Sequence, residues 1–182
     1  MPKWSDAPPK AVDVHAFRIL RTPQDSPLCG IITCTDVVGC PTHFVGNRTL
    51  PCEGQNECNP CKAGHSWRWH GYVTAIMVPT HEHFLFEFTA TGSDTFKNYL
   101  RHHGSMRGCK FVAKRPSKKA NGRVVISCIR IDEQGINLPE PPDVKKILCH
   151  IWGISHKRVT KNPGHRRPLK DLSVAPANSN GE

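Results

Sequence analysis

Alternation with a period of two dominates the middle of the chain. Residues 83–90 place Phe84, Phe86 and Phe88 on one side and Leu85 and Glu87 on the other, the pattern of a strand. Residues 67–78 have the same character, and the join at 79–82 is short enough for a hairpin. Upstream, residues 28–38 are rich in β-branched side chains broken by Gly30, which predicts the first strand. Two more strands are predicted over 108–114 and 123–131, joined by a basic turn whose Asn121-Gly122 pair tolerates positive φ. Between the third and fourth strands the period changes to that of a helix. Ser93 or Asp94 can cap it, Phe96, Tyr99, Leu100 and His103 share a face, and Gly104 can end it. Beyond the break at Pro139-Glu-Pro-Pro142, apolar residues recur at Val144, Ile147, Leu148, Ile151 and Trp152, which predicts an amphipathic helix over 143–152.

The order strand, long connection, strand, strand, helix, strand, strand is that of an OB-fold. The fold class read from it is mainly β with α (α+β). It is a five-stranded OB-like Greek-key barrel with a zinc-binding insertion in the strand 1–2 connection and a C-terminal amphipathic helix. A zinc ribbon beside an unrelated mixed sheet is the competing architecture. Residues 1–27 read as a proline-rich N-terminal arm in which 12–20 can add a strand to a sheet edge, and in which Trp4 is a lone aromatic. Residues 28–155 form the barrel domain, and 156–182 a flexible basic tail carrying Lys157, Arg158, Lys161, Arg166, Arg167 and Lys170.

Charge narrows the class of partner. The formal net charge is +10, which favours a polyanion because each neutralised phosphate releases condensed counterions. Apolar runs fall far short of a membrane span and the N-terminus has no signal-peptide core, so the expected location is intracellular, in the cytoplasm of a bacterium or encoded by a plasmid or phage. In such a chain nine cysteines, an odd number, argue for metal ligands rather than a disulfide framework.

Residues 39–64 have almost no hydrophobic periodicity, and so long a connection needs something to hold it. Cys58-x-x-Cys61 has the spacing that lets one turn offer two sulfurs to one ion, and Cys52 lies shortly upstream. The fourth ligand is open among His43, Cys40 and His65, with His43 ranked first because Phe44 and Val45 after it suit the end of a strand facing inward. The expected cofactor is structural Zn2+, since four protein ligands leave no position for a reactive water. Cys34, Cys109, Cys128 and Cys149 sit in apolar patterns and read as small core residues.

Those ligands carry a resemblance. A site ordered His43, Cys52, Cys58, Cys61 in a connection of an OB-like barrel resembles the helix-destabilising, single-stranded-DNA-binding protein of T-even phages. It covers this module and the strand order, about half the chain, and reproduces the ligand order but not every spacing. It implies a structural zinc and a sequence-tolerant single-strand DNA-binding function in replication, recombination or repair. That family ends in an acidic, partner-recruiting tail; here the tail is basic, which suits an added electrostatic grip.

On the barrel the ligand face comprises strands two and three with the loops 1–2 and 4–5. Arg68, His70 and Tyr72 alternate with Trp67 and Trp69, and the first set is assigned to the groove, with the tryptophans in the core or at the rim. Arg48, Lys114, Arg115, Lys118, Lys119 and Arg123 supply cations for phosphates, and exposed rings supply stacking. The expected partner is single-stranded nucleic acid, DNA ahead of RNA. An RNA-binding or duplex-binding regulator is the alternative. A metal-dependent nuclease using His81, His83 and Glu87 ranks below both, because acidic residues are few and scattered. The zinc-deaminase pattern fails, because Pro60 lies inside the Cys58/Cys61 pair and His81-Glu82-His83 follows it. No enzymatic activity is expected.

Overall fold

A computed structural model describes residues 17–154 apart from 55, 79 and 132–136. The assigned basic tail and Trp4 lie outside the described residues. The strands are β1 (Arg18–Leu20), β2 (Leu28–Ile32), β3 (Val38–Val45), β4 (Arg48–Pro51), β5 (Arg68–Ile76), β6 (His83–Thr89), β7 (Cys109–Lys114) and β8 (Val125–Arg130). The helices are α1 (Asn59–Lys62), α2 (Ala90–His103) and α3 (Val144–Trp152). All eight strands join one mixed sheet with the order β1-β6-β5-β2-β7-β8, and β3 pairs with both β4 and β5.

The sheet is organised by β5, the longest strand. Along one edge it pairs with β6 from His70↔Thr89 to Ile76↔His83. Its other edge is shared: Ala75 and Ile76 pair with β2, while Arg68 to Tyr72 pair with β3. The single first strand expected over 28–38 is therefore two strands with a break at 33–37. Arg107 fills that break, donating to the carbonyls of Thr33 (2.8 Å), Pro139 (2.8 Å) and Leu138 (2.9 Å). Thr33 and Thr74 join hydroxyls across it at 2.9 Å, and the Thr74 amide reaches Cys34 Sγ at 3.3 Å.

The sheet wraps around the phenylalanine stripe. Phe86 stacks on Phe111 of β7 at 4.8 Å, and Phe96 of α2 meets Phe88 edge-on at 4.8 Å. Phe84, Phe86, Phe88, Phe96 and Phe111 are all buried, as the alternation requires for a core face. Cys34, Cys109 and Cys149 are buried, and Cys128 is half-buried against the same core.

Among the described residues the sheet is open and does not close into the expected five-stranded barrel. In the expected topology the last strand returns to the third, whereas here the outer edge of β6 is taken by β1, parallel, from Arg18↔Phe84 to Leu20↔Phe86. The Ile126 carbonyl of β8 accepts instead from Thr95 Oγ1 of α2 at 3.3 Å. The arm thus supplies the edge strand foreseen within 12–20, and the sheet stays open between β1 and β8.

Helix α2 begins earlier than Ser93, because β6 runs directly into it at Thr89. Ser93 instead bonds the Ala90 carbonyl at 2.6 Å. It ends at Gly104, left-handed at φ 73°, as expected, while His103 is exposed and lies on the Tyr99 ring at 4.3 Å rather than facing inward. The Asp143 carboxylate caps α3 through the amides of Lys145 (3.0 Å) and Lys146 (3.1 Å). This helix lies on the outer face of the sheet, with the Trp152 ring 5.6 Å from that of Tyr72. No helix among the described residues is long and apolar enough to cross a membrane.

Replacing Arg107 with alanine leaves three carbonyls at the strand break without their donor. Hydrogen bonds to charged groups contribute about 1.5–3 kcal/mol each and are not additive here, so Arg107→Ala is expected to lose about 3 kcal/mol. Urea unfolding checks this, and Arg107→Lys, with its single nitrogen, should recover less than half.

Candidate metal centre and adjoining cleft

The connection that looked unstructured contains a hairpin. Strands β3 and β4 are joined by Gly46 (φ 55°) and Asn47 (φ 63°), and Val45 pairs with Arg48. Two consecutive positive φ values make the tight turn whose twist matches the strands, and Gly-Asn is a sequence that permits it. His43 sits opposite Leu50, and the Cys52 amide continues the ladder by donating to the Pro41 carbonyl at 2.9 Å. Since alternate residues share a face, His43, Leu50 and Cys52 point the same way.

Cys58 and Cys61 come from a single turn. Cys58 precedes α1 with extended backbone, and Pro60 holds the helical φ in its first turn. Gly64, at φ 78°, lets the chain leave. The ligand atoms of His43, Cys52, Cys58 and Cys61 all lie within 4.8 Å of one another. Cys61 Sγ is 3.3 Å from His43 Nε2 and 3.5 Å from Cys52 Sγ. A tetrahedron with ordinary zinc bond lengths has edges of about 3.5–3.8 Å, so the group could hold one metal ion with little movement. His43 Nδ1 donates to the Ser66 carbonyl at 3.2 Å, which turns Nε2 towards the sulfurs.

Electrostatics within the group follow from burial and the crowding of its thiols. At Cys58 burial opposes the thiolate, but hydrogen bonds from the backbone of Cys61 and Glu53 and from the neighbouring thiols lower its pKa overall. Burial, then the Cys52 and Cys58 thiols, push Cys61 up to about 12. A divalent cation reverses that order by favouring every thiolate at once. Cys40 and His65 are not in the group. Cys40 is half-buried against the core and held near 12 by burial, then by Glu87; His65 is exposed.

The opposite face of the same hairpin borders a cleft of about 440 Å³. Its lining includes Thr42, Phe44 and Thr49 from the hairpin, Arg68 and His70 from β5, and Glu87 from β6. Arg21 from the arm and Arg115, Asn121 and Val124 from the β7–β8 connection also line it. Phe44 is 58% exposed, an unusual state for a phenylalanine, and the Arg21 guanidinium lies 5.7 Å from its ring centre. Thr42 Oγ1 is 3.3 Å from the Arg68 carbonyl and 2.5 Å from His70 Nδ1. With the hydroxyl proton given to the carbonyl, the oxygen accepts from Nδ1, and Nε2 of His70 is left as an acceptor. Burial lowers the His70 pKa; Glu87 opposes this, and Arg21 and Arg68 add to it.

At the floor Glu87 accepts from Arg21 Nε at 2.5 Å and from Tyr72 Oη at 3.0 Å. Arg21 Nη2 also donates to Thr49 Oγ1. Burial and the adjacent Glu87 push the Tyr72 phenol pKa up, so it stays a donor.

Of the residues assigned to the groove, Arg68 and His70 are there. Tyr72 shares their face but is fully buried beneath Trp152, so it cannot stack on a ligand. Trp69 is half-buried against the core, across Gly39 and Gly71, where a methyl group would strike its ring, and Trp67 is also half-buried. Arg115 lines the cleft, yet its Nε donates to the Thr22 carbonyl (3.0 Å) and its Nη1 to that of Gly122 (2.5 Å), so it ties the wall together.

Lys114, Lys118, Lys119 and Arg123 are exposed beside the cleft and not in its lining. Arg48 is exposed on the His43 face of the hairpin, away from Phe44. The positive φ of the basic turn falls at Lys118 (51°) rather than at Asn121-Gly122. His81, His83 and Glu87 form no metal-holding group among the described residues; His83 lies against the Phe17 ring at 5.4 Å, and Glu87 is engaged by Arg21. Sequence reasoning missed Phe44 and Arg21. The Gly46-Asn47 turn was the available signal for Phe44, because it fixes the hairpin register and hence the face of that ring.

No protein-family model, curated protein or solved structure matches this chain.

The metal site is expected to take one divalent ion per chain, measured by elemental analysis after dialysis. Cys52→Ser or Cys58→Ser should abolish retention, while Cys40→Ser and His65→Ala should keep it. Because cysteine thiols at their ordinary pKa are protonated at neutral pH, thiolate ligation releases protons, and affinity measured by chelator competition should rise with pH between about 6 and 8.

Proposed function

We propose that the protein binds single-stranded nucleic acid, DNA ahead of RNA, in the cleft beside a structural zinc site. The observation that carries this reading is the exposed Phe44 ring on the wall of a cleft flanked by cations. A single strand requires ring faces for its bases and positive charge along its backbone. Arg68 stands exposed in the lining, and Lys114, Lys118, Lys119 and Arg123 surround the β7–β8 connection.

Zinc suits the donor set, since three thiolates and an imidazole favour it over harder cations, and four protein ligands make the site structural. The succession β2/β3, β5, β6, α2, β7, β8 supports an OB-like origin for the sheet, with its closing seam left open. On that reading the cleft falls where such folds bind ligands, over the second and third strands and between two loops. The likeness in ligand order to the T-even phage single-strand binding protein points the same way. Replication, recombination or repair is the accompanying proposal for its role.

Anisotropy titrations with a fluorescent mixed-sequence oligonucleotide and the same sequence as a duplex test this. Single-strand binding should be the tighter, weaken steeply with salt, and fall when the metal is stripped. Phe44→Ala should cost about 1–3 kcal/mol of binding and Phe44→Trp should not. Equal affinity for the duplex, or no effect of Phe44→Ala, would sink the proposal.

A further inference from the structure

The floor of the cleft holds a buried ion pair. The Glu87 side chain is only 2% exposed, yet it belongs to the cleft lining, next to Thr89 and beneath Arg21. Paired with Arg21, the carboxylate adds no net charge at the floor, and what its oxygens can take is a group that donates hydrogen bonds.

Arg21 and Glu87 form a donor and an acceptor side by side, joined at 2.5 Å. Arg21 uses Nε on Glu87 and Nη2 on Thr49, which fixes the plane of the guanidinium. Each Glu87 oxygen accepts one protein hydrogen bond, from Arg21 or Tyr72, and a carboxylate oxygen has two lone pairs. Both oxygens therefore keep acceptor capacity. The volume of about 440 Å³ is in the range of small-ligand pockets and suits one nucleotide unit rather than stacked base pairs.

Resting on the single-strand reading above, we propose that the cleft takes one unstacked base against Phe44 and that Arg21 and Glu87 read its Watson–Crick edge, selecting guanine. Guanine offers an acceptor, O6, followed by two adjacent donors, N1–H and the N2 amino group. Arg21 Nη1 meets O6, and the two Glu87 oxygens meet the two donors. Cytosine and adenine each bring one amino donor beside an acceptor, and thymine brings one imino donor between two carbonyls. Only guanine gives a carboxylate two neighbouring N–H groups on this edge.

The proposal makes the protein base-selective at one position of an otherwise sequence-tolerant strand. Oligo-dT hosts of about twelve nucleotides, each with one central dG, dA, dC or deoxyinosine in place of dT, give a direct test by competition. The dG host should bind roughly tenfold or more tighter than all-dT, within the discrimination expected of a good bidentate pair. Deoxyinosine, which keeps O6 and N1–H but lacks the N2 amino group, should fall between them. This series uses the unaltered protein, so it stands whether or not a variant folds.

Glu87→Gln replaces one acceptor oxygen with an amide donor. It should remove the dG preference, read as the ratio of dG-host to all-dT-host affinity measured within the same variant, which cancels any change common to both hosts. Circular dichroism of the variant verifies that it is folded. Hosts that all bind alike, or a preference for dA or dC, overturn guanine reading and leave single-strand binding intact. Failure of every host to bind overturns both.

Discussion

The register between β3 and β5 is the constraint on which the site depends. Five consecutive pairs, from Val38↔Tyr72 to Thr42↔Arg68, fix the residues of β3 on alternate faces of the sheet. His43 is thereby directed to the sulfurs of Cys52, Cys58 and Cys61, while Thr42 and Phe44 on either side of it reach the cleft. A slip of one residue would exchange the two sets, placing an imidazole in the cleft and a phenyl ring among the thiols. The contacts of His43 with Cys61 and Ser66 and the hydrogen bond between Thr42 and His70 therefore hold the same register from opposite faces.

The charge of the molecule is distributed with the same economy. Arg107 and Arg115 are directed at backbone carbonyls, and Arg21 at a buried carboxylate, so three conspicuous arginines mainly hold the structure. Burying Glu87 is tolerable because both of its oxygens are bonded and one partner is a cation. The lysines of the β7–β8 connection, unlike these arginines, stay exposed in solvent. A basic sequence thus divides into cations that build the fold and cations open to a partner.

Much of this was legible from local pattern. The Phe84/Phe86/Phe88 alternation and the Gly104 stop of α2 are each decided by a few neighbouring residues, and both appear as read; the Asp143 cap of α3 is as local but went unread. Cys58 and Cys61, with two residues between them, and Cys52 shortly before likewise mark their own site. What failed depends on distant pairing. Whether β6 receives β1 or β8 is a contest between segments far apart in the chain, and nothing in the alternation of His83 to Thr89 names the winner. Tyr72 was placed on the correct face, but its accessibility is set by Trp152, eighty residues later in the chain, swung over it by α3. The hairpin at Gly46-Asn47 escaped because its strands lack apolar alternation; side chains there face a metal group on one side and a cleft on the other.

The position of α3 has a geometrical meaning for anything that lies on the outer face of the sheet. By covering Tyr72 it blocks the path along β5, so only the stretch at His70 and Arg68 remains open before the hairpin rises. The open stretch is therefore a dead end along β5, approachable across the strands rather than lengthwise.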